Sequence, residues 1–505
     1  MSGARPPPRA QQQQAQQDQS GGLIVFSGFS GLNTQASRIG IEDTQAAWMD
    51  GWFPQGTDNA RIIFDHGPAL FVGPTNITSF QFANIGATPY CIAFLVDGSI
   101  WAINTITLAA AEIAAAGTIT LTDRLPGVSQ WGSTYVLIVA NQLNGYFVWD
   151  GTFFYRSGDT VPGDPGGVMP TGISGTSIET YTGHVWIVNG DVLEFSAPGS
   201  IVDFSTANGG GNLTSNDSTL RVRWTQLVAT NGYLYLFGDS SITYIANVQT
   251  TGDGPSTTIF TIQNADPEVG TPWPNTVDVI GSNIVFANVW GAHVSYGGRT
   301  AKISGDLDGI YNTVPNFGGF VPSATKSIVF GKRVWALLLP VIDPISGLQV
   351  NKLFIWDEKR WCSTQQNLDL VFVQHQEIDS VLTAYGTDTA AIYPLFTTPS
   401  INVQKVIRSK FWAIPKGDAI ENAVNRLWGV IQFHSAPTAT LIISLDSELG
   451  AAPVTITSAG TGIVVLPPQA CGQHGVLLGF TLTTNDADLG LLSLSTMPVP
   501  VQGRY

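Results

Sequence analysis

The sequence predicts an all-β chain: a β-propeller of six or seven blades over residues 75–399, followed by a β-sandwich-like domain over 400–505. Three observations lead there. One hairpin unit recurs at a nearly constant interval. The composition is rich in Gly (55 residues) and poor in charge (12%), which suits short strands joined by many tight turns. After Pro399 the rhythm changes, and about six short strands crowd into roughly 100 residues.

The recurring unit is clearest at Ile92–Ile103, which with the leading Cys91 reads CIAFLVDGSIWAI. Asp97-Gly98 is a strong turn signal, because Gly accepts the positive φ of a tight hairpin turn. Variants follow at Tyr135–Trp149 (turn at Asn144-Gly145), His184–Phe195 (turn at Asn189-Gly190), Tyr233–Tyr244, Ile284–Tyr296, Val334–Trp356 (long turn at Ile342–Gly347) and Val381–Tyr393. Their starts lie roughly 43 to 51 residues apart, near the period of about 40 to 50 of a four-stranded blade. The copies share little identity; what repeats is β-branched and aromatic residues on both arms. The competing reading is a large sandwich with many hairpins. Whether the segment before Thr75 closes the last blade is open at this level, and with it the choice between six and seven.

Composition also bounds function. The net charge of −15 opposes a protein that grips nucleic acid over its whole surface, which needs a basic stripe. It suits equally a wall that nucleic acid slides past, or simple solubility. Cys91, Cys362 and Cys471 show no paired spacing, so folding in a reducing compartment is expected, with Cys91 and Cys362 as small core residues. The chain reads as having no secretory signal and no membrane-spanning run.

Taken in order, residues 1–22 are Pro- and Gln-rich and are expected to be disordered. Leu23–Val72 departs from the blade pattern, and residues 23–74 read as an N-terminal segment joining or packing on the propeller. Leu23–Phe26 is an expected strand and Glu42–Trp48 an expected helical turn capped by Asp43 or Thr44. Its apolar residues, above all Phe29, Trp48, Trp52 and Phe53, are candidate assembly contacts, because a propeller's own blades leave little room for them. Leu108–Ala116 reads as a short helix or a loop insertion. Lys405, Arg408 and Lys410 suit a protected strand edge. Asp418–Trp428 is ambiguous between helix and strand. Strands are expected at Leu427–Phe433, Thr440–Leu445, Val454–Thr457, Gly462–Leu466, Val476–Thr483 and Leu489–Leu494.

The opening Gly31-Leu32-Asn33, then Ala36-Ser37-Arg38-Ile39-Gly40-Ile41, then Asp43 through Trp52-Phe53-Pro54 to Arg61 resembles the opening of the tail-nozzle, or tail-hub, proteins of short-tailed bacteriophages. In detail it departs from the family: Asp50-Gly51 stands where an Asn is common, and His66-Gly67 follows the Arg late. Trp149-Asp150 and Trp356-Asp357, each followed by a short turn and an aromatic, add to the resemblance. WD40 repeats proper are rejected, because the Gly-His partner is missing. The resemblance implies a virion structural protein of the tail, assembled in the host cytoplasm. It would be a ring, hexameric in the family, forming a DNA exit channel below the portal and adaptor. Its implied partners are further copies of itself, the tail adaptor, fibre, spike or needle proteins, and genomic DNA passing through the lumen.

The chemistry of an enzyme is not legible. No Gly-x-Ser-x-Gly elbow or complete P-loop occurs. The six histidines are scattered, and Cys471-Gly472-Gln473-His474 offers one pair where a closed zinc site needs four ligands. Neither catalytic residues nor a cofactor or metal is therefore expected. The alternatives to the nozzle reading are a glycan-binding, lectin-like propeller and a propeller glycoside hydrolase.

Overall fold

A computed structural model describes residues 23–500 except 57, 123, 165–166, 216–222, 253–255, 312, 315–320, 414–421 and 436–437. The chain is 57% strand and 2% helix. It divides into a propeller, Ile63–Pro399, and a sandwich built from both flanks, Met1–Ile62 with Ser400–Tyr505. The Pro/Gln-rich tail lies outside the described residues.

Six separate four-stranded antiparallel sheets form blades of the propeller. Their first strands are Ile77–Ile85, Gly127–Trp131, Ser177–Tyr181, Trp224–Thr230, Asp278–Ile280 and Phe372–Ile378. A further antiparallel set of four, running from Ser323–Val329 to Trp361–Thr364, stands between the last two. There are thus seven four-strand positions around the axis, numbered here in chain order. The seven recurring hairpins are the second and third strands of these seven sets, as in Thr88–Leu95 with Ile100–Asn104 and His184–Asn189 with Val192–Phe195. Those strands carry the apolar runs because they are covered by a neighbouring blade on each face. Leu137 and Val148 of blade two pack with Ile178 and Ile187 of blade three, and Tyr235 and Phe237 of blade four with Ile284 and Phe286 of blade five.

The ring is closed from outside the repeat. Phe71–Val72 pairs antiparallel with Ala391–Pro394 as the fourth strand of blade seven, so the segment before Thr75 does complete the last blade. Hydrogen bonds from Leu70 N to Ile392 O (2.7 Å) and Gly73 N to Ala390 O (3.0 Å) extend the seam.

At the Asp97-Gly98 turn, Gly98 has φ +80° and a Cβ there would stand 2.1 Å from the backbone oxygen of Ile119. Gly98→Ala is therefore expected to cost about 1–3 kcal/mol, read as a lower urea midpoint; an unchanged midpoint would show that the turn adjusts freely. The aromatic-Asp pairs close turns as well. Asp150 Oδ1 accepts from the backbone N–H groups of Thr152 (2.8 Å) and Phe153 (2.7 Å), and Asp357 Oδ1 from that of Arg360 (2.8 Å).

The sandwich corrects the expected N-terminal boundary. Ile24–Ser27, Trp52–Gln55 and Asn59–Ile62 share a sheet with Asn422–Phe433, Gly462–Val465, Gln469–Gly475 and Leu489–Pro500. Ala46–Asp50 pairs with Lys405–Ser409, in the sheet holding Trp412–Ala413, Leu477–Thr484, Thr438–Ser447 and Gly450–Ala459. The facing sheets meet at Phe26, whose ring lies 5.0 Å from Phe29 and 6.3 Å from Trp412. The opening segment thus contributes four strands to the sandwich, and the propeller is inserted in the chain between its two pieces.

Two local expectations fail, and one ambiguity is settled as strand, for one reason. Residues 42–45 form a turn and Ala46–Asp50 a strand, where a helical turn was expected. Ala110–Ala114 is the outer strand of blade one, and Asn422–Phe433 a continuous strand; 418–421 lie outside the described residues. In each case pairing with an adjacent strand overrides intrinsic helix preference.

Candidate functional site

The first strands of the blades line the propeller axis, and their inner edges have no backbone partner strand among the described residues. Side chains satisfy these edges instead. Val373 N donates to Ser323 Oγ (3.1 Å), Leu227 N to Ser177 Oγ (3.1 Å) and Asn84 N to Gln130 Oε1 (3.0 Å), each across neighbouring blades. Gln374 Nε2 donates to Gln81 Oε1 at 2.7 Å across the closing seam.

A cavity of about 120 Å³ lies among these strands. Its walls include Gln81, Glu179, Gln226, Asp278, Gln374 and His375, with Arg124 and Asn275 from connecting segments. Asp278 is held by two cationic or ionisable groups: Lys326 Nζ lies 3.8 Å from Oδ1 and His375 Nδ1 3.4 Å from Oδ2. Lys326 also reaches Glu377 at 4.0 Å. Burial pulls the His375 imidazole below its ordinary value, against the raising influence of Asp278, so it is neutral near pH 7.

Glu179 differs from its neighbours. No hydrogen bond or ion pair engages its carboxyl among the described residues. It keeps some access to water within the cavity, yet protein surrounds it closely enough that burial alone pushes its pKa up to about 8. At neutral pH it is a carboxylic acid, able to donate as well as accept.

This shift has a sign that can be tested. The unfolded carboxyl ionises near 4.5 and the folded one near 8, so the contribution to stability is complete below about pH 4.5 and is lost as pH rises through about 8. Glu179→Gln removes that dependence. Relative to the parent, the variant is expected to gain on the order of 2–3 kcal/mol between pH 5 and pH 8, measured by urea unfolding at both values. Parallel pH profiles of the two proteins would contradict it.

The sequence-level candidates lie elsewhere. Phe29, Trp48, Trp52 and Phe53 are 1%, 1%, 0% and 1% exposed. They fill the core of the chain's own sandwich and are closed to contact with another subunit, because the C-terminal strands supply the cover that the propeller could not. Of the residues carrying the phage resemblance, Arg38 and Arg61 tie the opening to the C-terminal strands, and Asn33 bonds within the opening. Arg38 Nη1 bonds Asp446 Oδ2 (3.0 Å) and its Nε donates to Ser409 O (2.9 Å). Arg61 Nη2 reaches Asp488 Oδ1 at 2.9 Å, and Asn33 Nδ2 donates to Gln45 Oε1 at 2.9 Å. Cys471 and His474 fall on one strand with Cys471 buried and His474 exposed, so three-residue spacing turns them to opposite faces. Among the described residues no group of three or more His, Cys, Asp or Glu is placed to hold a metal ion, and no helix is long and apolar enough to cross a membrane.

Reading for the hairpins misses the axial residues, although a signal exists. Gln81, Gln130, Glu179, Gln226, Asp278, Lys326 and Gln374 recur at intervals of roughly 47 to 52 residues, one polar side chain in the first strand of each blade.

No family model matches the chain, and no curated protein does. Solved propeller structures are similar to it at low identity. The chain resembles BBS1N, solved in complex with ARL6DN, at 9% identity and TM-score 0.39, covering 69% of this chain and 96% of that one. It resembles the N-terminal domain of Nup159 at 12% and 0.34, covering 69% and 98%. It resembles the β-propeller domain of Cps50 (Swd1) from Myceliophteria thermophila at 11% and 0.36, covering 64% and 97%. These scores are low, and the propeller rests on the sheet order itself.

Proposed function

We propose that the protein is a structural component of a virion, the tail nozzle of a short-tailed phage, acting as a ring of copies around a DNA exit channel. The observation that carries this reading is the place of the resembling segment. Arg38 and Arg61, within Gly31–Arg61, are tied by their side chains to Ser409, Asp446 and Asp488 of the C-terminal strands. The opening thus belongs to a domain into whose sequence the propeller is inserted. Such a plan suits an assembly part, a framework carrying an inserted appendage. A propeller axis with a cavity of about 120 Å³ admits only a small molecule, so the DNA path in this proposal is the hole between copies. The net charge of −15 gives that wall a weakly adhesive character toward phosphates. Rings arise from heterologous interfaces that close, and the adaptor and the fibres, spikes or needle would bind at the two ends.

Light scattering and electron microscopy of the purified chain, with protein identification in particles of its source phage, test the proposal. Closed rings and stoichiometric presence in tails are expected. A monomer at all concentrations that is absent from particles would overturn it.

A second reading, glycan binding, has one observation in its favour. Trp290 is 77% exposed at the hairpin turn of blade five, where its face is free to stack on a sugar. A carbohydrate array with Trp290→Ala as control separates the two.

A further inference from the structure

We propose that the axial cavity of the propeller is a binding site for a small primary ammonium ion, with the Glu179 carboxylate as its counter-charge. The proposal is independent of the chain's role in assembly.

Size comes first. A protein cavity of about 150 Å³ holds one benzene molecule, so about 120 Å³ accommodates a cation of a few heavy atoms. The lining chooses the chemistry. Glu179 reaches the cavity from blade three with no partner among the described residues, and the side chains of Gln226 and Asn275 are likewise without hydrogen bonds there. A carboxylate and two amide oxygens provide three acceptors for the three N–H donors of an ammonium group. A buried carboxyl without a partner is a costly arrangement that a bound cation relieves. An anion would meet the carboxyl itself. A multivalent metal ion would lack ligands, since no described trio of His, Cys, Asp or Glu converges.

The other ionisable groups in and beside the cavity do not occupy this role. Asp278 is engaged by Lys326 and His375, and Lys326 also faces Glu377. Arg124 lines the same space, but neither it nor any of these groups contributes to the raised pKa of Glu179, which has burial as its only cause.

Binding then exchanges a proton. At pH 7 Glu179 is protonated and the ligand is already a cation. The carboxyl O–H bond breaks, the proton leaves to solvent, and the carboxylate keeps the electron pair and pairs with the ammonium. About one proton is released per ligand below pH 8, and affinity rises about tenfold per pH unit up to that point.

Isothermal titration of the full chain with ethylammonium chloride, at pH 6 and pH 7 in two buffers of different ionisation enthalpy, tests this, with potassium chloride as a parallel arm. One-to-one saturable binding, about tenfold tighter at pH 7 and with near-unit proton release, is expected. Glu179→Gln should abolish binding while keeping the parent's circular dichroism. Gln226→Ala should weaken binding several-fold and retain the proton release, which keeps the test valid if Glu179→Gln misfolds. Absence of saturable binding, equal binding by a folded Glu179→Gln, unchanged binding by Gln226→Ala, or equal uptake of potassium with the same proton release would overturn the proposal.

Discussion

Trp52→Ala is expected to remove about 3–5 kcal/mol from the stability of the sandwich and to be the most damaging single truncation in that domain. Trp52 is 0% exposed, on a strand that pairs with Asn59–Ile62, which in turn pairs with Leu489–Pro500. Its removal leaves a cavity at the join between the two chain segments that make the domain. Trp52 Nε1 has no hydrogen-bond partner among the described residues, so Trp52→Phe loses volume but also removes an unsatisfied donor, and should cost under about 2 kcal/mol. Urea unfolding followed by hydrogen exchange of 422–433 and 489–500 separates the sandwich from the propeller, which two cooperative units require. A Trp52→Ala chain with parental exchange protection in those strands would refute the core assignment. Any loss of ring formation on combining Trp48→Ala with Trp52→Ala would then follow from unfolding, since neither side chain reaches the surface.

Leu70→Pro should open the propeller. The Leu70 N–H donates to Ile392 O at 2.7 Å, and its side chain packs in the core that joins blades seven and one, with Phe71, Ile77, Phe80 and Ile392. Proline removes the donor and stiffens the chain at the strand that closes the ring. A loss of about 3 kcal/mol or more is expected, because the closing strand is only Phe71–Val72 with its flanking bonds. The diagnostic readout is local. Exchange protection should fall in 372–394 and protease sensitivity should rise around 63–76, before global unfolding. Unchanged protection in blade seven would mean that the ring is held by side-chain packing alone.

The legible part of this fold was its local part. Asp97-Gly98 and Asn189-Gly190 mark turns whose glycines have φ +80° and +64°, and a positive φ is a demand that one residue can announce. Apolar arms on both sides of such turns announce two strands, and these proved to be the paired centre of every blade. The outer strands were less visible. Ala110–Ala114 is largely exposed and helix-prone in composition, so nothing short of its pairing with Ile100–Ile103 makes it a strand. Glu179 escaped notice because one carboxylate in a β-run looks like a solvated residue until six other blades surround it.

Sequence alone determined the all-β class, the repeating hairpin, the blade interval and the strand-rich C-terminal region. All of these follow from turn stereochemistry and two-residue alternation, interactions that reach only a few positions along the chain. Tertiary structure decided the rest. It brought Phe71–Val72 to Ala391–Pro394, the buried tryptophans of the opening to strands beyond residue 400, and polar residues roughly 48 apart to one axis. Each of these joins residues separated by tens to hundreds of positions, where closure and burial select the partner and no local preference records it.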